Sequence, residues 1–402
     1  MTFIDGGVCA PKGFKASGIY AGIKKNPLKK DLALIFSESP AVAAGVFTKN
    51  KIKAACVTVS KGHLKNNTAQ AIIANSGIAN CCTGAKGKKD AKEMAQVVAL
   101  ELRIKQENVL VASTGVIGYF LPMNKIIDHI PWLVKNLSPQ KSQDAAAAIM
   151  TTDRIKKEFA VRFKIGNSVV TIGAVAKGSG MIYPNMSTML CFITTDAAIA
   201  PGALKLALKN CVDKTFNCIS VDGDTSTNDM VLILANAASA NKEITLKTKK
   251  EFEIFNAALL KITTALAKLM ASDGEGATKL IEVCVKGAYT AKDARLAAST
   301  VCNSNLVKTA MYGQDANWGR IAAAVGRSGA ALSENKLSIW FGNEKIFSNG
   351  SPARADEGVL KNILSKDEVR ITIDMGLGKY GITMWTCDLS EEYIRINAKY
   401  RS

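Results

Sequence analysis

The stretch that decides the fold runs Val169-Val-Thr-Ile-Gly-Ala-Val-Ala176, Lys177-Gly-Ser-Gly-Met-Ile-Tyr-Pro-Asn-Met-Ser-Thr188, Met189-Leu-Cys-Phe-Ile-Thr-Thr-Asp196. Two runs rich in β-branched residues flank a loop containing glycine and proline, so a strand, a turn segment and a second strand are predicted. The second run is almost continuously apolar up to Thr194, which suits a strand covered on both faces. The loop delivers a hydroxyl residue, Thr188, to the first position of that strand. On spacing alone such a threonine is more often a plain strand starter, since threonine favours pleated surfaces. The second reading is chemical. Thr188 attacks the Ser187 carbonyl, an ester forms, and water releases a new N-terminus. The freed α-amine, with a pKa of about 7.7–8.0, then serves as the base that a threonine hydroxyl needs.

Outward from this segment, strands and helices alternate. Residues 31–36, 71–75 and 109–112 read as buried strands, the last running into Ser113-Thr-Gly115. A helix is predicted over 89–102, where Ala91, Met94, Ala95, Val98 and Leu102 share one face. Leu204, Ala207, Leu208, Cys211 and Val212 form a second helical stripe. Phe255, Leu259, Ile262, Leu266 and Leu269 form a third, ahead of the turn Asp273-Gly-Glu-Gly276. Ile281, Val283 and Val285 alternate with more polar residues, as in a strand with one buried face. Thr290-Ala-Lys-Asp293 has the form of a capping box with Asp in place of Glu. The expectation is a mixed α/β fold of sheets covered by helices. With 402 residues it has material for two or three domain-sized units.

Composition excludes several classes. Hydrophobic residues make up 48% and charged residues 21%, ordinary for a globular chain. No stretch reads as the ~20 apolar residues of a membrane helix. The N-terminus lacks the pattern of a signal peptide, so a soluble cytoplasmic protein is expected. The net charge of +18 points first to nucleic acid, but the lysines are dispersed and aromatics are only 6%. No nucleic-acid-binding motif accompanies the charge, and a lysine-rich enzyme is the better reading. Ten cysteines form no CxxC pair, and Cys56, Cys191 and Cys284 lie in apolar strand-like runs, as buried thiols do. His63 and His129 are the two histidines, and neither sits in a catalytic or zinc-binding motif. Asp222, Asp224 and Asp229 sit in a turn-rich context read as loop structure, with no metal assigned. Gly84-Ala-Lys-Gly-Lys-Lys89 lacks the spacing of a phosphate-binding loop.

Many motifs occur together in one order: Ser113-Thr-Gly-Val-Ile-Gly118, Lys177-Gly-Ser-Gly-Met181, Asn185-Met-Ser-Thr-Met-Leu190 and Phe192-Ile-Thr-Thr-Asp196. They continue with Ser220-Val-Asp-Gly-Asp-Thr-Ser-Thr-Asn-Asp229, Asp273-Gly-Glu-Gly-Ala-Thr-Lys279 and Asn317-Trp-Gly-Arg-Ile321. Trp385-Thr-Cys-Asp388 and Ile396-Asn-Ala-Lys-Tyr-Arg-Ser402 complete the set. This set resembles the ornithine acetyltransferase family, also called the glutamate N-acetyltransferases, over nearly the whole chain.

The resemblance implies stacked sheets flanked by helices in an N-terminal-nucleophile-like fold. It implies self-cleavage at Ser187–Thr188 into an alpha chain, 1–187, and a beta chain, 188–402. The fragments are expected to stay together, as a heterotetramer of two alpha and two beta chains. Thr188 aligns with the nucleophile, and Thr114 and Gly115 with the oxyanion hole, one through its hydroxyl and one through its backbone N–H. Thr151, Lys177, Thr188, Glu275, Asn397 and Ser402 align with substrate-contacting positions. Lys177 could pair with a substrate carboxylate and Glu275 with an ammonium.

The implied reaction moves acetyl from N2-acetyl-L-ornithine to L-glutamate through an acetyl-Thr188, a step of arginine biosynthesis. No cofactor is expected. The sequence does not separate members that also accept acetyl-CoA as donor from those that do not. A related self-processing aminopeptidase or amidohydrolase is the alternative, with water as acceptor. Three departures stand out: Ser402 in place of the usual Thr, Ser187 where Ala is common, and Ile78 in place of an Asn. The last puts a polar contact of the loop Asn75-Ser-Gly-Ile-Ala-Asn80 in doubt.

Overall fold

Apolar and alternating runs of the first half of the chain assemble into one sheet. The computed structural model describes residues 1–183 and 189–399. These divide into two units: 1–178, 189–217 and 225–266 form the first, and 179–183, 218–224 and 267–399 the second. Each unit takes chain from both sides of residue 187, so the division does not follow the expected fragments.

The first unit holds strands β1 (Thr2–Ile4), β2 (Phe14–Ile19), β3 (Leu32–Phe47), β4 (Thr68–Ile78) and β5 (Val109–Val116). It also holds β6 (Lys157–Ile165), β7 (Ser168–Lys177), β8 (Leu190–Thr195) and β9 (Met230–Ala235). They form a nine-stranded sheet in the order β1-β6-β7-β8-β9-β3-β4-β5, with β2 paired to β3 off this path. The pairs β4–β5 and β8–β9 are parallel. The expected run over 31–36 is the start of a much longer strand. Its first half pairs with β2 and β4 and its second half with β9, with a break in register between Phe36 and Ala41. Pro40, which has no N–H to donate to a ladder, lies in that break.

Helices α1 (Ala55–His63), α2 (Gly84–Leu102), α3 (Met123–Lys135), α4 (Ser142–Ile149), α5 (Pro201–Lys214) and α6 (Lys249–Ser272) follow in chain order. Helix α4 packs on β2 and β3 and also on β7, so both arms of the sheet share one core. That core includes Leu34, Ile72 and Val111 from one arm and Val175, Phe192 and Leu232 from the other. The expected helix over 89–102 starts earlier, at Gly84, and Lys86 pairs with Asp90 one turn on. Cys56 is buried as expected but lies in α1, since a short apolar run does not tell helix from strand. Cys191 is buried in β8, and Cys284 is half-buried.

By length and composition α6 could cross a membrane, contrary to the sequence expectation. Its stripe Phe255, Leu259, Ile262 and Leu266 is fully buried, as in a core helix.

The second unit holds β10 (Leu280–Ala288), β11 (Ser338–Phe341), β12 (Glu344–Ser348), β13 (Ser351–Pro352), β14 (Glu368–Asp374) and β15 (Tyr380–Cys387). Their order is β13-β12-β11-β14-β10-β15. Ile281, Val283 and Val285 of β10 are buried, as their alternation predicts. Helices α7 (Ala291–Cys302), α8 (Asn305–Tyr312), α9 (Trp318–Gly326), α10 (Glu357–Leu364) and α11 (Glu391–Ala398) complete it. Helix α7 packs on β10 and β15, and its capping box forms: Thr290 accepts from the Asp293 N–H and Asp293 from the Thr290 N–H.

Candidate active site

Three neighbouring strands end side by side in the first unit. Lys177 of β7 faces Leu190 of β8, which faces Met230 of β9. Met189, the residue after Thr188, donates its N–H to Asp229 Oδ1 at 3.0 Å. The Asp229 side chain is fully buried, and its Oδ2 has no hydrogen-bond partner among the described residues. Burial drives the Asp229 pKa well above the ordinary carboxylate range, outweighing the Met189 N–H and the positive field of Lys177. Burial thus favours the protonated form of this carboxyl over the charged one.

The oxyanion candidates sit where β4 and β5 end together. Gly77 and Gly115 face each other there, and the register slips immediately after. Gly115 has φ +132°, and a Cβ on it would lie 2.2 Å from the Gly77 carbonyl carbon. Gly77 has φ +107°. Only glycine fits this close backbone approach, which a β-bulge uses to re-aim local groups. Thr114 is buried, and its Oγ1 accepts from the Lys177 ammonium at 3.4 Å. Asn228 steadies the same strand end: its Nδ2 donates to the carbonyls of Ser113 and Ala79, each at 2.7 Å.

Thr151 joins the group through a buried carboxylate. Asp153 Oδ2 accepts from the Thr151 N–H at 3.0 Å, and Oδ1 accepts from the Lys157 ammonium and the Gly178 N–H, both at 2.7 Å. Burial alone would raise the Asp153 pKa. The ammonium groups of Lys177 and Lys157 outweigh it and hold the carboxyl well below the usual range. Thr114, Gly115, Thr151 and Lys177 are thus linked within one unit by hydrogen bonds and backbone contact.

In the second unit, Glu275 is buried and its Oε2 accepts from Asn397 Nδ2 at 2.8 Å. Gly180 leaves room for that carboxylate, since a Cβ there would lie 2.4 Å from Glu275 Oε2. Asp222 accepts from the N–H groups of Met181 at 2.6 Å and Ile182 at 2.9 Å, shortly before the described chain pauses at Tyr183. Ser187, Thr188 and Ser402 lie outside the described residues.

Sequence reasoning treated Asp229 as loop structure and the dispersed lysines, the Lys24-Lys25 pair among them, as solvated surface, and it passed over Asp153 and Gly77. Lys24 is instead half-buried, its ammonium on the Lys30 and Met150 carbonyls. The acid-to-lysine spacing of Asp153 and Lys157 was a usable local signal, realised as an ion pair of two fully buried side chains. The Ile78 departure is also visible. Asn75 Nδ2 donates to the Ile78 carbonyl, while Asn75 Oδ1 is buried with no partner among the described residues. No group of three or more His, Cys, Asp or Glu side chains among the described residues is arranged to hold a metal ion.

The model of the ArgJ family matches residues 15–402. The chain is 50% identical to the arginine biosynthesis bifunctional protein ArgJ of Symbiobacterium thermophilum over 403 residues, covering all of both chains. It is 47% identical to the ArgJ protein of Bacillus subtilis, covering 99% of this chain and 97% of the relative. A crystal structure of the ArgJ protein of Bacillus halodurans aligns with a TM-score of 0.50 and 42% identity, covering 52% of this chain and 97% of that one. On matches of this extent, the chain belongs to the ArgJ family.

Proposed function

We propose that this chain cuts itself between Ser187 and Thr188 and then moves acetyl from N2-acetyl-L-ornithine to L-glutamate through an ester on Thr188. One observation carries the reading: a buried Thr114 hydroxyl held by Lys177, beside the Gly115–Gly77 backbone seat, at the strand ends where β8 begins. Lys177 donates into Thr114 Oγ1, which leaves the hydroxyl hydrogen of Thr114 to donate elsewhere. A donor fixed in this way suits a developing oxyanion, and the Gly115 N–H supplies the second.

In the first half-reaction the Thr188 hydroxyl attacks the acetyl carbonyl, its proton passes to the α-amine of Thr188, and ornithine leaves with that proton. In the second the glutamate amine attacks the ester and Thr188 regains its hydroxyl. Lys177 pairs with a substrate carboxylate. Glu275, oriented by Asn397, pairs with an ammonium. Both amino acids carry an α-carboxylate, so one set of groups serves each in turn. The reaction belongs to arginine biosynthesis, the process named for the relatives, and the reading is of a cytoplasmic enzyme.

The solved Bacillus halodurans chain supports the cut, since nearly all of it aligns with only about half of this one. The fragments 1–187 and 188–402 remain associated, two of each in a heterotetramer. The word bifunctional in the relatives' names favours a second donor, acetyl-CoA, at the same threonine.

Initial rates with acetylornithine and glutamate varied together test the proposal. Parallel lines are expected, with a fragment carrying an added acetyl of about 42 Da after exposure to acetylornithine alone. Intersecting lines without an acylated fragment overturn it. Hydrolysis of acetylornithine unaffected by glutamate favours an aminopeptidase instead.

A further inference from the structure

The peptide unit joining Met150 to Thr151 is held at both ends by charged side chains. Its N–H donates to Asp153 Oδ2 at 3.0 Å, and its carbonyl accepts from the Lys24 ammonium at 2.7 Å. The same ammonium donates to the Lys30 carbonyl at 2.7 Å. Lys24 is far from Thr151 in sequence, so its position must itself be built.

Asp31 builds it. This fully buried carboxylate accepts from the N–H groups of Ala21 at 2.6 Å, Ile23 at 2.7 Å and Lys24 at 2.9 Å, which wraps the 21–24 turn around it. The Asp31 carbonyl accepts from the Ser76 N–H at 2.8 Å, next to Gly77. The aliphatic stem of Lys24 passes over Gly77, with Cγ 3.2 Å from where a Cβ on that glycine would stand. Stem and head group thus touch two parts of the site that are remote in sequence.

We propose that Lys24 is a positioning residue for Thr151, its ammonium and the Asp153 carboxylate clamping the Met150–Thr151 peptide from opposite ends. The inference rests on the acetyl-transfer reading, in which Thr151 touches substrate. A peptide plane held at both its carbonyl and its N–H resists rotation, which fixes the backbone from which the Thr151 side chain projects. Such preorganisation reduces the entropy lost when substrate binds. The remaining charges around Lys24 are Lys29, Lys177, Asp31 and Asp153. Burial, assisted by the two lysines and opposed by the two aspartates, lowers its pKa to about 8. The clamp loses its charge-assisted strength as pH rises through that value.

The test is steady-state kinetics of Lys24→Met, Thr151→Ala and the double variant, with wild type in parallel. Methionine keeps a stem over Gly77 and removes the charge. Lys24→Met is expected to raise KM for both amino acids about tenfold while kcat stays within about twofold, as for lost ground-state binding. If Lys24 acts through Thr151, the double variant has the KM of Thr151→Ala alone. Wild-type KM rises above about pH 8, and that rise is absent in Lys24→Arg, whose charge persists. The Arg variant keeps the proposal testable should the Met variant not fold. Unchanged KM in Lys24→Met, additive effects in the double variant, or the same pH rise in Lys24→Arg overturns it. Failure of wild type to transfer acetyl sinks the functional reading itself, a different result.

Discussion

Gly115 sits against Gly77 so closely that a Cβ on it would lie 2.2 Å from the Gly77 carbonyl carbon and 2.4 Å from the carbonyl oxygen. The two glycines end a parallel strand pair, and both have positive φ. Gly115→Ala must therefore push β4 and β5 apart at the N–H proposed to hold the oxyanion. The expected result is a loss of about 10²–10³ in kcat. Strain of about 1–3 kcal/mol should also appear as a lower melting temperature. An active, equally stable Gly115→Ala enzyme would show that this seat is not where the oxyanion is held.

Thr114 is judged by its hydroxyl. The Lys177 ammonium donates to it at 3.4 Å, and both residues are buried. On the proposed oxyanion role, Thr114→Ala should lower kcat by about 10²–10³ with little change in KM, as for a donor that acts only in the transition state. Thr114→Ser keeps the hydroxyl and should recover most of the rate. If Thr114→Ala instead raised KM at constant kcat, the residue would belong to substrate binding.

How far the sequence foretold these positions depends on what kind of signal each carries. The β8 strand was legible because its short apolar run follows a loop of glycine and proline and carries β-branched residues, and all six of its residues are buried. Helices α5 and α7 were legible from a 3.6-residue stripe and a capping box. The first half of β3 was read, but its continuation past Ser39-Pro40 was not, because a proline reads as a strand end and here marks a change of partners. Asp153 carried one local signal, its spacing to Lys157, but its bonds to the Thr151 and Gly178 N–H groups are set by the fold. The role of Lys24 was invisible for a different reason: its ammonium meets the Met150 carbonyl, which is remote in sequence, and no local pattern encodes that contact. Gly77 lay inside a motif whose neighbour Ile78 drew attention, while the contact that requires glycine comes from another strand.

The proposed self-cleavage reads out how firmly the 181–182 backbone is held. Denaturing gels of wild type should show two bands of about 20 and 23 kDa, by residue share of 42.8 kDa, the heavier beginning Thr-Met-Leu-Cys. Thr188→Ala should remain full length and inactive. Asp222 holds Met181 and Ile182, so Asp222→Ala leaves two backbone N–H groups without their acceptor. Misplacement of about 1 Å can slow a reaction about 10²-fold, and cutting in Asp222→Ala should slow on that scale. Cutting at the wild-type rate would mean that the 181–182 backbone is held by other contacts. A single full-length band from an active wild-type preparation would refute the cut altogether.

Asp229 offers the clearest dependence on pH. Its carboxyl is fully buried and its pKa lies well above that of the unfolded chain. The folded state thus binds a proton that the unfolded state releases at about pH 4, and stability from this group is present below that pH. As pH rises from there toward the raised folded value, stability falls by about 1.4 kcal/mol per unit. Asp229→Asn removes the titration while keeping an oxygen to accept the Met189 N–H. The variant should therefore be close to wild type at pH 4 and gain relative to it as pH rises toward 7. Asp153 has the opposite sign. Its pKa is depressed below the unfolded value, so its contribution is present above about pH 4 and fades in more acid solution. Denaturant titrations of wild type, Asp229→Asn and Asp153→Asn between pH 3 and 7 separate the two. The difference for Asp229→Asn should widen upward in pH in the variant's favour. The difference for Asp153→Asn should widen upward against the variant, because Asn removes a charge paired with the buried Lys157 ammonium. Parallel curves for Asp229→Asn and wild type across this range would mean that burial does not raise the Asp229 pKa in the folded protein.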